Sequence, residues 1–287
     1  MAQTKQEIQA LLSSAGSEPR HRFGQNFMID QNLLRIVADA GEIAPGDRVI
    51  EVGPGTGTLT EELLARGAEV IAVEIDRDLA ALLRERFREN DKFHLFEGDA
   101  LAGKHELNAE LLSAIRGTNV PGRDVPRTKL VANLPYNIAS PLVIELLIAG
   151  VELLAFTVQR EVADRLRAAS DSDAYGPLTV MVQLLSKVEV LRTLPPQAFW
   201  PAPKIESSLV RLRREDQLGK SAVDFGRFVS RMFSSRRKTL RKSLSQAQVD
   251  PKLLDQLSID PQLRPENLTP AQYLSLFQLH GASPPAE

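Results

Sequence analysis

Between Arg48 and Phe96 short β-branched runs alternate with stretches of helical periodicity, and no other feature of the sequence narrows the architecture as far. The runs are Val49-Ile50-Glu51-Val52, Val70-Ile71-Ala72-Val73 and Phe93 to Phe96, with helical patterns near Leu59–Ala65 and Leu79–Phe87 between them. Strands separated by helices predict an α/β fold with a parallel, doubly wound sheet. Further strands are expected at Lys129–Ala132, Ala155–Val158, Val188–Leu191 and Ser208–Leu212. The stretch Ala102–Arg127, with Gly117, Pro121, Gly122 and Pro126, reads as a helix followed by a polar loop.

Beyond Arg213 the β-branched runs stop, and helical periodicity continues in Phe225–Phe233, Thr239–Leu244, Leu253–Leu257 and Ala271–Leu279. Three segments are expected: an amino-terminal extension 1–19, a large α/β domain 20–214 and a small all-α carboxyl-terminal domain 215–287. In the extension Ile8, Leu11 and Leu12 share one face of a short helix that Ser13-Ser14-Ala15-Gly16 interrupts. A chain of 287 residues, 43% hydrophobic and 25% charged, has the length and the apolar content for one large and one small domain.

Composition removes several chemistries. Without cysteine there are no disulfides, thiolate zinc sites or cysteine nucleophiles, and four histidines make an imidazole metal site unexpected. No apolar run approaches the roughly 20 residues that span a bilayer, and the polar start lacks the apolar segment of a secretion signal. The expectation is a cytoplasmic, metal-free protein, and nothing in the sequence demands more than a monomer.

Val49-Ile50-Glu51-Val52-Gly53-Pro54-Gly55-Thr56-Gly57-Thr58-Leu59-Thr60 is a strand that runs into a glycine-rich turn and then a helix. Glycines at 53 and 55 let a ligand lie against the turn and the helix start. Glu74 ends the next strand, where a carboxylate can accept from both hydroxyls of a ribose. A dinucleotide and S-adenosylmethionine both fit, since each carries an adenosine. Asp99, after the strand Phe93–Phe96, adds an acid at a third strand end and can accept from an adenine amine, which shifts the balance toward S-adenosylmethionine.

Asn133-Leu134-Pro135-Tyr136 follows the strand Leu130-Val131-Ala132, at a fourth carboxyl end, where open α/β sheets bind ligands. The exocyclic amine of adenine is a poor nucleophile because its lone pair is delocalised into the ring. The Asn133 side-chain oxygen and a backbone carbonyl near Leu134 or Pro135 can accept its two N–H bonds and turn the lone pair toward a methyl donor. Pro135 stiffens the loop, and Tyr136 can stack on an extruded purine.

A basic cluster opens the helical tail: Arg227, Arg231, Arg236, Arg237, Lys238, Arg241 and Lys242. With Leu240 and Leu244 on the opposite side, it suggests an amphipathic helix with its charges outward. Such a face can track an RNA backbone despite the net charge of −2, and Arg20, His21 and Arg22 can extend it.

These residues together resemble the ribosomal RNA adenine N6,N6-dimethyltransferase family, in its bacterial small-subunit branch. The resemblance spans roughly Arg20 to Leu279. Beyond the two sites above, it is carried by Arg22-Phe23-Gly24-Gln25-Asn26-Phe27, Gln159-Arg160-Glu161-Val162-Ala163-Asp164-Arg165-Leu166, Ala174-Tyr175-Gly176-Pro177-Leu178-Thr179-Val180, Phe199-Trp200-Pro201-Ala202-Pro203-Lys204-Ile205-Glu206-Ser207 and Arg236-Arg237-Lys238-Thr239-Leu240-Arg241. It implies a Rossmann-like class I S-adenosylmethionine methyltransferase sheet. Cofactor contacts would come from Asn26, Met28, Gly53, Gly55, Glu74, Asp99 and Asn133, with Met28 standing where leucine is usual. Catalysis would fall to Asn133, Leu134, Pro135 and Tyr136, with Phe199 as a second aromatic wall beside the base, and RNA contacts to Arg22, Arg236, Arg237, Lys238 and Arg241. The implied substrate is an adjacent adenosine pair in the 3′-terminal hairpin loop of 16S ribosomal RNA, on the 30S subunit or its precursor, with a role in subunit biogenesis. Three alternatives remain open: a 23S ribosomal RNA adenine methyltransferase, an assembly factor that has lost catalysis, and a dinucleotide-dependent dehydrogenase.

Overall fold

Local sequence chemistry sets the starts of the first helices. Helix α1 (Lys5–Ser14) opens on a capping box: Thr4 Oγ1 accepts from the Glu7 amide at 3.3 Å and the Glu7 carboxylate accepts from the Thr4 amide at 2.6 Å. The short strand β1 (Phe27–Met28) precedes α2 (Gln31–Ala40), whose first turn is capped by the Asp30 carboxylate. In this computed structural model, which describes residues 3–20, 23–103, 106–117 and 127–282, the expected alternation follows. It runs β2 (Arg48–Val52), α3 (Thr58–Ala65), β3 (Glu69–Glu74), α4 (Arg77–Arg86) and β4 (Phe93–Glu97). A small hairpin, β5 (Leu101–Gly103) and β6 (Glu106–Leu107), then leads to α5 (Ala109–Arg116), β7 (Thr128–Asn133), α6 (Ala139–Ala149) and β8 (Leu153–Gln159). After α7 (Arg160–Leu166) and α8 (Pro177–Leu185) come β9 (Ser186–Leu194), β10 (Phe199–Trp200) and β11 (Ser207–Arg214), and the chain closes with α9 (Ala222–Ser234), α10 (Leu240–Gln246), α11 (Leu253–Gln256) and α12 (Pro270–Ala282). No helix among the described residues is long and apolar enough to cross a membrane.

Seven strands form one sheet in the order β4-β3-β2-β7-β8-β11-β9. Pairing is parallel from β4 through β8, and β11 lies antiparallel on β8 in the register Ser208 to Val158 and Val210 to Phe156. The chain steps outward from β2 to β4 and then returns to the other flank of β2 as β7. Helices therefore leave β2 and β7 in opposite directions, and a crevice opens at their carboxyl ends. Val49, Val70, Val131 and Ala155 face one side of the sheet, where they pack with Leu34 and Val37 of α2 and Leu59 and Leu63 of α3. Ile50, Ile71 and Leu130, the next residues along or just before, point the other way and are equally buried.

The chain divides into two compact units, Met1–Ala163 with Glu189–Arg214, and Asp164–Val188 with Glu215–Glu287. The first unit ends at Arg214. In two respects the units do not follow the linear order of the chain. The amino-terminal segment is part of the first unit, because Ile8 and Leu12 are buried against Phe27 and Leu79. The segment Asp164–Val188 joins the helical unit: the Tyr175 hydroxyl donates to the Leu268 carbonyl at 2.7 Å, and its ring lies 6.1 Å from that of Phe233. Neither partnership leaves a local periodicity to read. Of the loop around Gly117–Pro126, residues 118–126 lie outside the described residues.

Candidate active site

The strand-to-helix turn after β2 is built on backbone that only glycine adopts without strain. Gly53 and Gly55 have φ of 71° and 62°. A Cβ on Gly55 would stand 2.8 Å from the Phe27 ring, and one on Gly53 3.0 Å from Pro135. The turn is therefore packed between the β1 segment and the Asn133–Tyr136 loop, and Gly53, Pro54, Gly55 and Thr56 line the crevice. Gly53, Gly55, Glu74, Asp99, Asn26, Met28, Asn133, Leu134, Pro135 and Tyr136 all line one cavity there.

Glu74 closes β3 at 3% exposure. Its two carboxylate oxygens accept from the Gly55 amide at 3.3 Å and the Asp76 amide at 2.9 Å, which fixes the carboxylate plane. Burial outweighs these hydrogen bonds and pushes its pKa up to about 7. A second acid, Glu51, also lines the cavity. It is 2% exposed and accepts from Thr60 Oγ1 at 2.6 Å, and burial, aided by the nearby Glu74, pushes its pKa up to about 8. Asp99 is exposed; one of its oxygens accepts from the Leu101 amide at 3.0 Å and the other keeps its capacity for a ligand. Ile75, beside Glu74 in the same wall, is 43% exposed and offers an apolar edge to a flat ring.

The Asn133 amide is held at both ends. Its Nδ2 donates to the Asn26 carbonyl at 2.6 Å, and its Oδ1 accepts from the buried Thr157 hydroxyl. The oxygen expected to accept from a substrate amine thus has one of its two lone pairs occupied, and the second remains. Tyr136 lies in the wall with its hydroxyl 2.8 Å from Ser207 Oγ; burial raises its pKa, so the phenol stays neutral.

Phe199 is where the structure departs from expectation. It is 2% exposed, packs in the core beside Met28 and Leu209, and is absent from the cavity wall. Strand pairing decides this: β10 pairs with β1, Met28 opposite Phe199 and Phe27 opposite Trp200, and alternation along the strand sends Phe199 inward. Trp200 turns to the other side and stacks on Phe27 at 6.4 Å.

The basic cluster divides as well. Arg236, Arg237 and Lys238 occupy a turn between α9 and α10 and not a helix face, while Arg241 and Lys242 lie on α10 above the buried Leu240 and Leu244. Arg237, Lys238 and Arg241 are exposed. Arg236 faces Glu266 at 3.7 Å and donates to the Asp173 carbonyl at 3.5 Å, so it ties the helical unit together. Arg22 lies outside the described residues.

The family described as ribosomal RNA adenine dimethylase matches residues 16–281. The chain belongs to this family. Among its relatives, "Ribosomal RNA small subunit methyltransferase A" of Hahella chejuensis is 42% identical over 88% of this chain and 89% of its own. The protein of the same name from Magnetococcus marinus is 42% identical over 94% of each. Of solved structures, a dimethyladenosine transferase from Plasmodium falciparum is similar with a TM-score of 0.66 at 25% identity, over 89% of this chain and 98% of the other. The 23S rRNA methyltransferase ErmE gives 0.60 at 26% identity, over 89% and 100%. The fold is accordingly that of the Rossmann-like class I methyltransferases, and as a member of the dimethylase family the chain is an rRNA-modifying methyltransferase.

Two residues of the site in this dimethylase, Glu51 in the cavity wall and Thr157 behind Asn133, were not singled out from the sequence. Glu51 had a visible signal, as the one charge within the apolar run Val49–Val52. Thr157 had none, because a threonine in a strand is ordinary until its hydroxyl is seen to meet Asn133.

Proposed function

We propose that this dimethylase transfers methyl groups from S-adenosylmethionine to the N6 amines of two adjacent adenosines in the 3′-terminal hairpin loop of 16S ribosomal RNA, on the small subunit or its precursor. One observation carries the reading: Glu74 and Asn133, from strands on opposite flanks of β2, line the same cavity. The names of the two bacterial relatives support the small subunit as its substrate.

The cavity residues fit the cofactor. A carboxylate held by backbone amides suits a ribose, a bare glycine turn suits close backbone approach, and Ile75 with Asp99 suits a purine ring and its amine. Glu74, Asp99, Gly53, Gly55, Asn26, Met28 and Asn133 would hold it. When bound, S-adenosylmethionine supplies a methyl carbon made electrophilic by the adjoining sulfonium. Asn133 has its amide plane set by Asn26 and Thr157, and its second lone pair accepts one N–H of the adenine amine, which turns the nitrogen lone pair outward. The carbonyls of the stiff Leu134-Pro135 segment accept the other, and Tyr136 stacks on the extruded base. Orientation of this kind is what the poor nucleophile lacks in water. No side chain need act as a general base, because the proton can leave to solvent after transfer.

Arg237, Lys238 and Arg241 would track the RNA backbone, and Arg22 would add to that surface. The helical domain 215–287 would act as the RNA-binding part. The enzyme would work in the cytoplasm as a monomer without a metal. Labelled methyl transfer to undermethylated small subunits, followed by nucleoside analysis, tests the whole reading: N6,N6-dimethyladenosine in 16S RNA is expected. Label found only in large-subunit RNA would overturn the substrate, and no transfer from S-adenosylmethionine would overturn the reaction.

A further inference from the structure

Helix α1 and the residue before its cap lie ahead of residue 16, where the family match begins. They are nonetheless in contact with the glycine turn. Gln3 is 6% exposed. With its side-chain oxygen turned toward Arg86, its amide donates to Thr56 Oγ1 at 2.6 Å and Thr58 Oγ1 at 2.8 Å, and accepts from Arg86 Nη2 at 3.1 Å. Thr56 and Thr58 are both buried and both line the cavity. Arg86 completes the bridge, since it donates to the Thr56 carbonyl and pairs with Glu61 of α3 at 2.7 Å.

This polar bridge has work to do at that place. Helix α3 begins at Gly57 with φ of 82° and no side chain to cap its first amides. Toward β3 the turn is held at its start, by the Gly53 amide on the Val73 carbonyl at 2.9 Å and the Gly55 amide on Glu74 at 3.3 Å, and it closes on itself through the Gly57 amide and the Pro54 carbonyl at 2.9 Å. On the far side Gln3 and Arg86 hold the Thr56 and Thr58 side chains and the Thr56 carbonyl. A second, apolar contact comes from the same helix: Ile8 and Leu12 press on Phe27, whose ring fills the space over Gly55.

We propose that Gln3 is a positioning residue for cofactor binding. Through Thr56, Thr58 and Arg86 it sets the turn Gly53–Gly57 in the conformation that receives S-adenosylmethionine, so that the amino-terminal helix is a working part of the methyltransferase site. The proposal rests on the cofactor reading above. An ordered turn costs the ligand less on binding than one that must be ordered by it, so the effect falls on affinity and not on the transfer step.

Calorimetric titration of S-adenosylmethionine into the intact wild-type chain, Gln3→Ala and Gln3→Glu tests this, together with steady-state kinetics and melting temperatures. Gln3→Ala removes the bridge and is expected to raise Kd and the KM for the cofactor about five- to tenfold, the effect of one or two lost hydrogen bonds, with kcat at saturating cofactor within about twofold. Gln3→Glu should keep near wild-type affinity, because both threonine hydroxyls can turn to donate to a carboxylate that also pairs with Arg86. Unchanged affinity in Gln3→Ala overturns the proposal, as does a fall in kcat without a change in Kd, or a loss that Gln3→Glu shares in full. Absence of binding by the wild-type protein would instead overturn the cofactor reading itself.

Discussion

At the scale of single residues, the site works by fixing groups that would otherwise rotate. Asn133→Ala removes both the clasp on Asn26 and the acceptor for the amine. Methyl transfer should fall by about 100-fold or more, with subunit binding retained, when both are assayed on undermethylated small subunits. Thr157→Val keeps the shape of the 0%-exposed threonine and removes only the hydroxyl that orients Asn133 Oδ1. A drop in kcat of about tenfold, with Kd for the cofactor unchanged, is expected from one lost orienting hydrogen bond. Glu74, with its pKa raised by burial to about 7, adds a pH signature. Its ionised form is the better acceptor for ribose hydroxyls, so cofactor affinity should tighten as pH rises through about 7, and Glu74→Gln should flatten that profile in titrations between pH 6 and pH 8.

At the scale of elements, the strand-turn-helix unit and the basic turn make separate demands. Gly55→Ala places a Cβ at φ 62° and 2.8 Å from the Phe27 ring, so it should cost about 1–3 kcal/mol in denaturant unfolding and weaken cofactor binding in parallel. In the basic region, Arg236→Ala should lower the melting temperature, since Arg236 ties Asp173 and Glu266. Arg237→Ala, Lys238→Ala and Arg241→Ala should leave melting unchanged and reduce the salt dependence of RNA binding, by about one unit of slope for each phosphate contact removed. The strands and the glycine turn were legible because their signals are local: an apolar run, a glycine where φ is positive, an acid at a strand end. The fate of Phe199 was not, because β10 takes its facing from β1, which lies far away in the chain. Arg236 and Arg237 are neighbours of one residue type, and only their surroundings give one to the fold and the other to solvent.

At the scale of the whole molecule, stability and divisibility follow from buried partners. Glu51 and Glu74 both have pKa values raised above the ordinary 4.5, to about 8 and about 7. The folded state therefore binds more protons than the unfolded chain between pH 4.5 and 8, and stability should fall as pH rises through that window. Glu42 and Glu189, lowered by Arg213 and Arg211, act only at more acidic pH and do not mask the trend. Melting temperatures across pH 5 to 8.5 check it, and Glu51→Gln should flatten the slope. A chain ending at Arg214 would keep Asp164–Val188 but lose Glu215–Glu287, its partner in the second unit. Tyr175, Leu178 and Met181, each buried in the intact chain, lose part of their cover, so this truncation should bind a hydrophobic dye and aggregate where the intact chain does not. The amino-acid order alone was enough for the parallel sheet, the glycine turn, the strand-end acids and the Asn-Leu-Pro-Tyr loop, because period, backbone freedom and chemical type are properties of adjacent residues. Tertiary structure alone decided which hydroxyl orients Asn133, which aromatic ring faces the core, which arginine is bound within the fold, and that Gln3 reaches the glycine turn. Each of those depends on groups far apart in sequence meeting within hydrogen-bonding or van der Waals distance, and no local pattern encodes such a meeting.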